Sequence, residues 1–237
     1  MWKAEHVRLH RAAPAVLAGL LALALTGCSE DAGSSDQDPA EVLAEAKATL
    51  DDTSGVDLAL TTTDLPDGVT GVERAEGIGT HAPAFEGSIT VTLVGQSVEV
   101  PVVAVDGKVY AQLPFTQGYQ DVDPAEYGAP DPAALMTPDQ GFSAVLGATE
   151  DLEEGESMRG GAGNKEVLTE YTGTVDGDAM TNVIPTAEGE FDATYTITDG
   201  GELRSASFTG VFYPDSEPMT YTVTFEDYGT EKDITAP

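Results

Sequence analysis

The chain has 237 residues, a single cysteine, and 42 Asp and Glu against 10 Lys and Arg, for a formal net charge of −32. One cysteine excludes an intrachain disulfide framework. So acidic a surface repels phosphate backbones and anionic headgroups, which excludes nucleic acid as a partner and argues against a role wrapped on a membrane. The charge reads first as a solubility device, with a specific cationic partner as the alternative.

The N-terminus carries Lys3, Arg8 and Arg11, followed by an apolar stretch from Ala12 to Leu25 interrupted by Pro14 and Gly19. That stretch is too short for a stable span and has the layout of an export signal. It ends in Leu25-Thr26-Gly27-Cys28, which matches a bacterial lipobox. Small residues there let a signal peptidase reach the bond before the cysteine, whose thiol carries diacylglycerol. Residues 1–27 are therefore expected to be a lipoprotein signal peptide and Cys28 a lipid anchor. Two or three acyl chains make a lasting tether at ~0.8 kcal/mol per buried CH₂. The mature chain is expected at the outer face of the cytoplasmic membrane, in the cell envelope. Residues 28–38, with the run "SEDAGSSDQD", read as the acylated cysteine and a flexible acidic tether.

From Pro39 the pattern changes, and residues 39–237 read as one domain without an internal linker. "PAEVLAEAKATLDDTSG" places Val42, Leu43, Ala46 and Leu50 at helical spacing, with proline in the first turn and Gly55 as a stop. "VDLALTTT" alternates as a strand does. "GSITVTLVGQSVEVPVVAVDGKVYAQLP" holds three apolar runs, broken at Gly95-Gln96-Ser97 and at Asp106-Gly107, the latter a strong hairpin signal. Residues 116–164 are rich in Pro, Gly and acid, with short helices expected at 132–136 and 140–148 on either side of Pro138. Four alternating strands follow: "KEVLTEYTGTV", "GEFDATYTITD", "ELRSASFTGVFY" and "PMTYTVTFEDYG". A further short helix is expected at 178–184, before Pro185. The sum is an α+β domain: one antiparallel sheet of about eight strands with a few helices grouped on one face.

Within each strand one face is apolar and the other rich in threonine. Ile89, Val91 and Leu93 point one way, as do Phe191, Ala193, Tyr195 and Ile197, and Met219, Tyr221, Val223 and Phe225. Periodicity leaves open whether the few helices fill this apolar face or leave a space above it. The slim Ala104, Ala111, Ala193 and Ala206 loosen the packing without establishing a cavity.

Catalytic chemistry is not legible. After the leader the one histidine is His81, in "GIGTHAPAFEG", which reads as an exposed loop. "GFSAV" lacks the second glycine of a nucleophile elbow. One histidine and no free thiol cannot build a usual zinc site. The acidic runs "DLEEGE" and "DGD" lack the spacing of a calcium loop, and "RGGAGNK" lacks the ending of a phosphate loop. The chain is expected not to be an enzyme and to need no cofactor or metal.

Lipobox, acidic tether, first helix, "VAVDGKVYAQL" and "DPAALMTPDQGFSAVL", together with the C-terminal "TYTVTFEDYGTEKDITAP", resemble the LppX/LprG family of actinobacterial lipoproteins over about residues 39–237. The resemblance implies a LolA-like fold, a curved antiparallel half-barrel with helices packed on its concave face. It also implies an open hydrophobic cavity there for acyl chains of a multi-acylated lipid: a glycolipid, a lipoglycan or triacylglycerol. The function implied is a membrane-anchored lipid carrier or chaperone moving such cargo toward the outer envelope, with an inner-membrane transporter as a candidate partner. Chosen by side-chain direction within the matched strands, the lining would be Ile89, Val91, Leu93, Val109, Phe191, Tyr195, Met219, Tyr221 and Val223. Leu135, Met136, Phe142 and Leu146 would form a helical lid. The alternative is an envelope sensor or scaffold of the same fold acting through a protein partner.

Overall fold

The computed structural model describes residues 37–237 apart from 94, 128 and 162. Cys28, the expected leader and most of the expected tether lie outside the described residues. The chain divides into two units, Met1–Asp31 and Ala32–Pro237. Every strand pairing and core contact described below closes within the second, so that unit has what it needs to fold alone.

Helix α1 (Pro39–Asp52) starts where the sequence says it should: the Asp38 side chain accepts a hydrogen bond from the Ala40 N–H at 3.0 Å, and Pro39 occupies the first helical position. Its buried stripe is Val42, Leu43, Ala46 and Leu50. Eleven strands follow: β1 (Gly55–Thr61), β2 (Gly71–Thr80), β3 (Ala84–Leu93), β4 (Gln96–Val105), β5 (Lys108–Ala111), β6 (Gln120–Val122), β7 (Glu150–Gly160), β8 (Glu166–Asp176), β9 (Glu188–Thr198), β10 (Leu203–Val211) and β11 (Met219–Glu226). Helix α2 (Gly141–Gly147) precedes β7, and the single turn α3 (Gly177–Met180) lies between β8 and β9. Two 3₁₀ turns, Pro124–Tyr127 and Ala134–Met136, interrupt the proline-rich segment after β6.

All eleven strands form one sheet in the order β6-β5-β4-β3-β2-β1-β11-β10-β9-β8-β7, with every pairing antiparallel. The sheet is open, because β6 and β7 are its two edges. The edges are protected differently: β6 is three residues long, whereas β7 is acidic and its pairing slips twice against β8.

Eleven strands replace the expected eight because β2, β6 and β7 lack an alternating apolar signal. In β2 the inward positions after Ala75 are Gly77 and Gly79, and other side chains occupy the space above them. A Cβ on Gly77 or on Gly87 of β3 would come within 2.8 Å of the Phe85 ring, and one on Gly79 within 2.6 Å of Met136. The expected helix at 178–184 contracts to α3, followed by turns through Ile184.

The inner face is covered unevenly. Over β7–β11 the helices press down: α1 packs on α2, β7 and β10, and α3 on β8 and β9. Phe142 meets Phe225 edge-on with centroids 5.2 Å apart, and Phe212 stands between Phe191 and Tyr221. Lys47 of α1 bonds Asp51 at 2.7 Å and Asp139, just before α2, at 2.8 Å, tying the two helices together. Among the described residues no α-helix lies over β3–β6, only the segment 123–135. On the opposite face Ile234 of the C-terminal segment covers Ala84 and Val103.

Candidate functional site

The uneven cover leaves two apolar cavities under the proline-rich segment. The inner one, about 50 Å³, has Leu58, Leu60, Val72 and Phe85 as its floor and Leu135, Phe142 and Ile184 among its cover. The outer one, about 90 Å³, lies on the β3–β6 wing over Val98, Val100, Val102 and Ala111 and reaches Leu113, Val122 and Tyr127. Ile89, Ala129, Pro130 and Pro132 line both, so the cavities adjoin across one contact between a strand and a loop. A dry apolar cavity of about 150 Å³ takes a molecule the size of benzene, so together they have room for roughly six carbon atoms.

Cross-strand register builds this floor. Ile89 faces Val100 on one side and Ala75 on the other, Val91 faces Val98, and Leu60 lies between Ala75 and Val223. The row is therefore aliphatic from β4 across to β11. Phe85 leans over the glycine pair Gly77–Gly87, which face each other across β2 and β3, and so a bulky ring enters the cavity wall without raising the sheet.

Of the side chains singled out from sequence, Ile89 lines both cavities, Val91 and Val109 line the outer, and Leu135, Phe142 and Val223 line the inner. Met136, Leu146, Phe191, Tyr195, Met219 and Tyr221 are buried in the packed core between helices and sheet and are not among the lining residues of either cavity. The side chain of Leu93 and the whole of Cys28 fall outside the described residues. The sequence reading missed Val72 and Ala75 of β2 and the cover formed by Pro124, Tyr127, Ala129, Pro130 and Pro132. The clustering of prolines after a strand-rich region was the available signal, since a proline-rich segment without helix can lie across an apolar face without burying many backbone donors.

The chemistry of the lining is uniform. Among the described residues, every lining side chain is apolar except for the hydroxyl of Tyr127, and no acid, base or nucleophile faces the space. Among the described residues, no group of three His, Cys, Asp or Glu could hold a metal ion. His81, expected to be exposed, is half-buried in the turn between β2 and β3. Its Nδ1 meets the Thr53 carbonyl, and its N–H donates to the Ser54 carbonyl at 3.2 Å, away from both cavities. Among the described residues no helix is long and apolar enough to cross a membrane.

Among the described residues, buried side-chain polar atoms are matched except for Oδ1 of Asp51 and of Asp57. The extra residue Glu73 makes a bulge between the pairs Val72–Val91 and Arg74–Thr90. Two tyrosines grip the main chain beside it: the Val72 N–H donates to the Tyr213 hydroxyl at 3.2 Å, and the Tyr221 hydroxyl donates to the Val72 carbonyl. The two hydroxyls are 2.9 Å apart. Burial pushes the Tyr221 hydroxyl far above the ordinary tyrosine range, and the neighbouring Tyr213, Asp64 and Glu73 add to the shift.

The profile of the LppX_LprAFG lipoprotein family matches residues 38–236. The chain is 31% identical to the lipoarabinomannan carrier protein LprG of Mycolicibacterium hassiacum, covering 94% of this chain and 97% of that one. Its fold is similar to that of LprF from Mycobacterium bovis, with a TM-score of 0.68 at 18% identity over 86% of this chain and 99% of the other. It is also similar to LppX from Mycobacterium tuberculosis, with a TM-score of 0.60 at 17% identity over 85% and 100%.

Proposed function

The chain belongs to the LppX_LprAFG lipoprotein family, and from that premise we propose that it is a lipid carrier whose cavities hold acyl chains. The observation that carries this reading is the wall itself: two adjoining spaces lined by aliphatic and aromatic side chains, with no reactive group among the described residues facing them. Such a surface offers cargo nothing but removal from water. For about six methylenes at ~0.8 kcal/mol each that is about 5 kcal/mol, more than a few headgroup contacts supply. A wall of this kind suits binding rather than reaction, and we read the protein as a carrier and not an enzyme.

The cargo we infer is a multi-acylated lipid: a glycolipid, a lipoglycan or triacylglycerol. The curated relative named as a lipoarabinomannan carrier supports the class. The space present holds about one short chain, so a second or third chain requires the segment 123–135 to lift from β3–β6. That segment is held by turns of its own, among them the Ala125 N–H on Asp123 and the Ala133 N–H on Asp131, so it can move as a piece. The proposed setting is the outer face of the cytoplasmic membrane, where an acylated Cys28 keeps the domain near its lipid source, and delivery is toward the outer envelope. An inner-membrane transporter is the protein partner this role would call on.

Ile89 tests the reading, because it lines both cavities and belongs to neither packed helix interface. Ile89→Trp is expected to fill the space and lower lipid occupancy severalfold in extracts of the purified protein, with the circular dichroism spectrum retained. Unchanged occupancy in a folded Ile89→Trp protein would contradict it.

A further inference from the structure

The loop between β5 and β6 turns the wall of the outer cavity into surface. Leu113 and Pro114 line the cavity, and the next residue, Phe115, is 108% exposed, the most exposed large hydrophobic side chain among the described residues. Its φ is +67°, the left-handed region that a bulky side chain adopts only at a cost and that glycine takes freely. The chain thus holds an unfavourable backbone conformation while presenting an aromatic ring to water. Tyr119 of the same loop and Tyr127 at the cavity edge are also exposed.

The surroundings point to what covers the ring. No residue from Val109 to Gln120 is charged, and none from Gly87 to Val98, in a chain with 42 acidic residues. Register brings these stretches to one end of the sheet: Val105 pairs with Lys108 and Val102 with Ala111, so the chain beyond Ala111 runs toward the β3–β4 turn. The loop also satisfies part of its own polar groups. The Thr116 N–H and Oγ1 donate to the Leu113 carbonyl at 3.2 and 2.8 Å, and Gln120 Nε2 donates to the carbonyls of Gln117 and Tyr119 at 3.3 and 3.0 Å. A protein partner would be recognised in part through the charge that covers the rest of the surface. An uncharged aromatic tip is what can leave water for the interface of a bilayer, where water still reaches the loop's remaining polar groups.

We propose that the Leu113–Tyr119 loop docks the domain onto a lipid bilayer, with Phe115 entering the interface and the outer cavity opening beside it. Cargo then passes between acyl phase and cavity without crossing water. The purpose assigned to the docking rests on the acyl-chain reading of the cavity, whereas the docking itself can be measured without it.

The only tryptophan of the chain is Trp2, in the first unit, so Phe115→Trp in the domain beginning at Ala32 places a single reporter at the loop tip. With phosphatidylcholine vesicles its emission is expected to shift to the blue and to be quenched by brominated acyl chains. Phe115→Gly suits the backbone at +67° and is expected to keep or raise Tm, yet to lose vesicle partitioning by about tenfold or more in flotation, the factor set by withdrawing one aromatic ring from an apolar phase. An unshifted, unquenched emission, or equal flotation of Phe115→Gly and the parent, overturns the docking. So does an emission change that needs a protein from the envelope and not vesicles. Lipid extracted from the same sample separates the two readings: retained lipid without docking overturns the docking alone, and docking without any bound lipid overturns the carrier reading alone.

Discussion

Tyr213 and Tyr221 show how a single residue can decide a strand. The bulge at Glu73 leaves the main chain of Val72 to be held by two hydroxyls, and Val72 is part of the inner cavity floor. Tyr221→Phe removes the donor to a buried carbonyl and the partner of Tyr213. It is expected to cost roughly 1–3 kcal/mol by chemical denaturation, the penalty for leaving buried polar groups unmatched. The same residue contributes to pH dependence. Burial raises the hydroxyls of Tyr221, Tyr195 and Tyr228 well above the ordinary value of 10.0. Raised folded values mean that their contribution is intact below about pH 10 and is lost as pH rises beyond it, where only the unfolded chain ionises. Each group steepens that loss by about 1.4 kcal/mol per pH unit. Tyrosinate absorbance is therefore expected to appear in two stages, the second coinciding with loss of circular dichroism, and Tyr221→Phe to make the alkaline loss shallower. A single stage with no unfolding would contradict the burial of these hydroxyls.

At the scale of elements, β2 and β3 carry the cavity floor through what they omit. Gly77 and Gly87 face each other, and Phe85 lies across both. Gly77→Ala puts a methyl group within 2.8 Å of the ring and of neighbouring backbone, which is expected to destabilise the domain by about 1–3 kcal/mol and to push Phe85 into the inner cavity. Denaturation midpoints together with lipid occupancy check this, since both should fall; a variant as stable and as loaded as the parent would mean that Phe85 does not rest there. The same glycines explain why β2 is invisible to periodicity: its inward positions are filled by side chains from elsewhere. β7 is unreadable for another reason. It is an edge strand with little apolar burial, and its run "EDLEEGESMRG" is acidic on both faces. By contrast, β3, β9 and β11 show their alternation openly, because each has one face in an apolar core and one in solvent.

For the molecule as a whole, alternation told which side chains share the inner face but not which half of that face would stay open. Ile89 and Tyr195 follow the same pattern in sequence. They end in different surroundings because α1, α2 and α3 land on β7–β11 and leave β3–β6 to a proline-rich segment. Where a helix lands depends on contacts such as Lys47 with Asp139, 92 residues apart, and no local period encodes them. The resemblance to lipid-binding lipoproteins supplied the open cavity; the fold assigns it a place. Charge acts at this scale too. Three of the ten basic residues precede Cys28, against one of the 42 acidic ones, so the chain from Cys28 onward is more acidic still. The two apolar cavities and the uncharged loops beside them stand out against that background as the surface on which an acyl chain meets no charge.

Native mass spectrometry with lipid extraction, on the domain beginning at Ala32 and produced in an actinobacterial host, tests the central claim most directly. Leaving out Cys28 removes any acyl chains of the protein's own. A stoichiometric adduct with the mass of a multi-acyl lipid is expected, as is its loss in Ile89→Trp. A bare protein mass that persists after incubation with envelope lipids would contradict it.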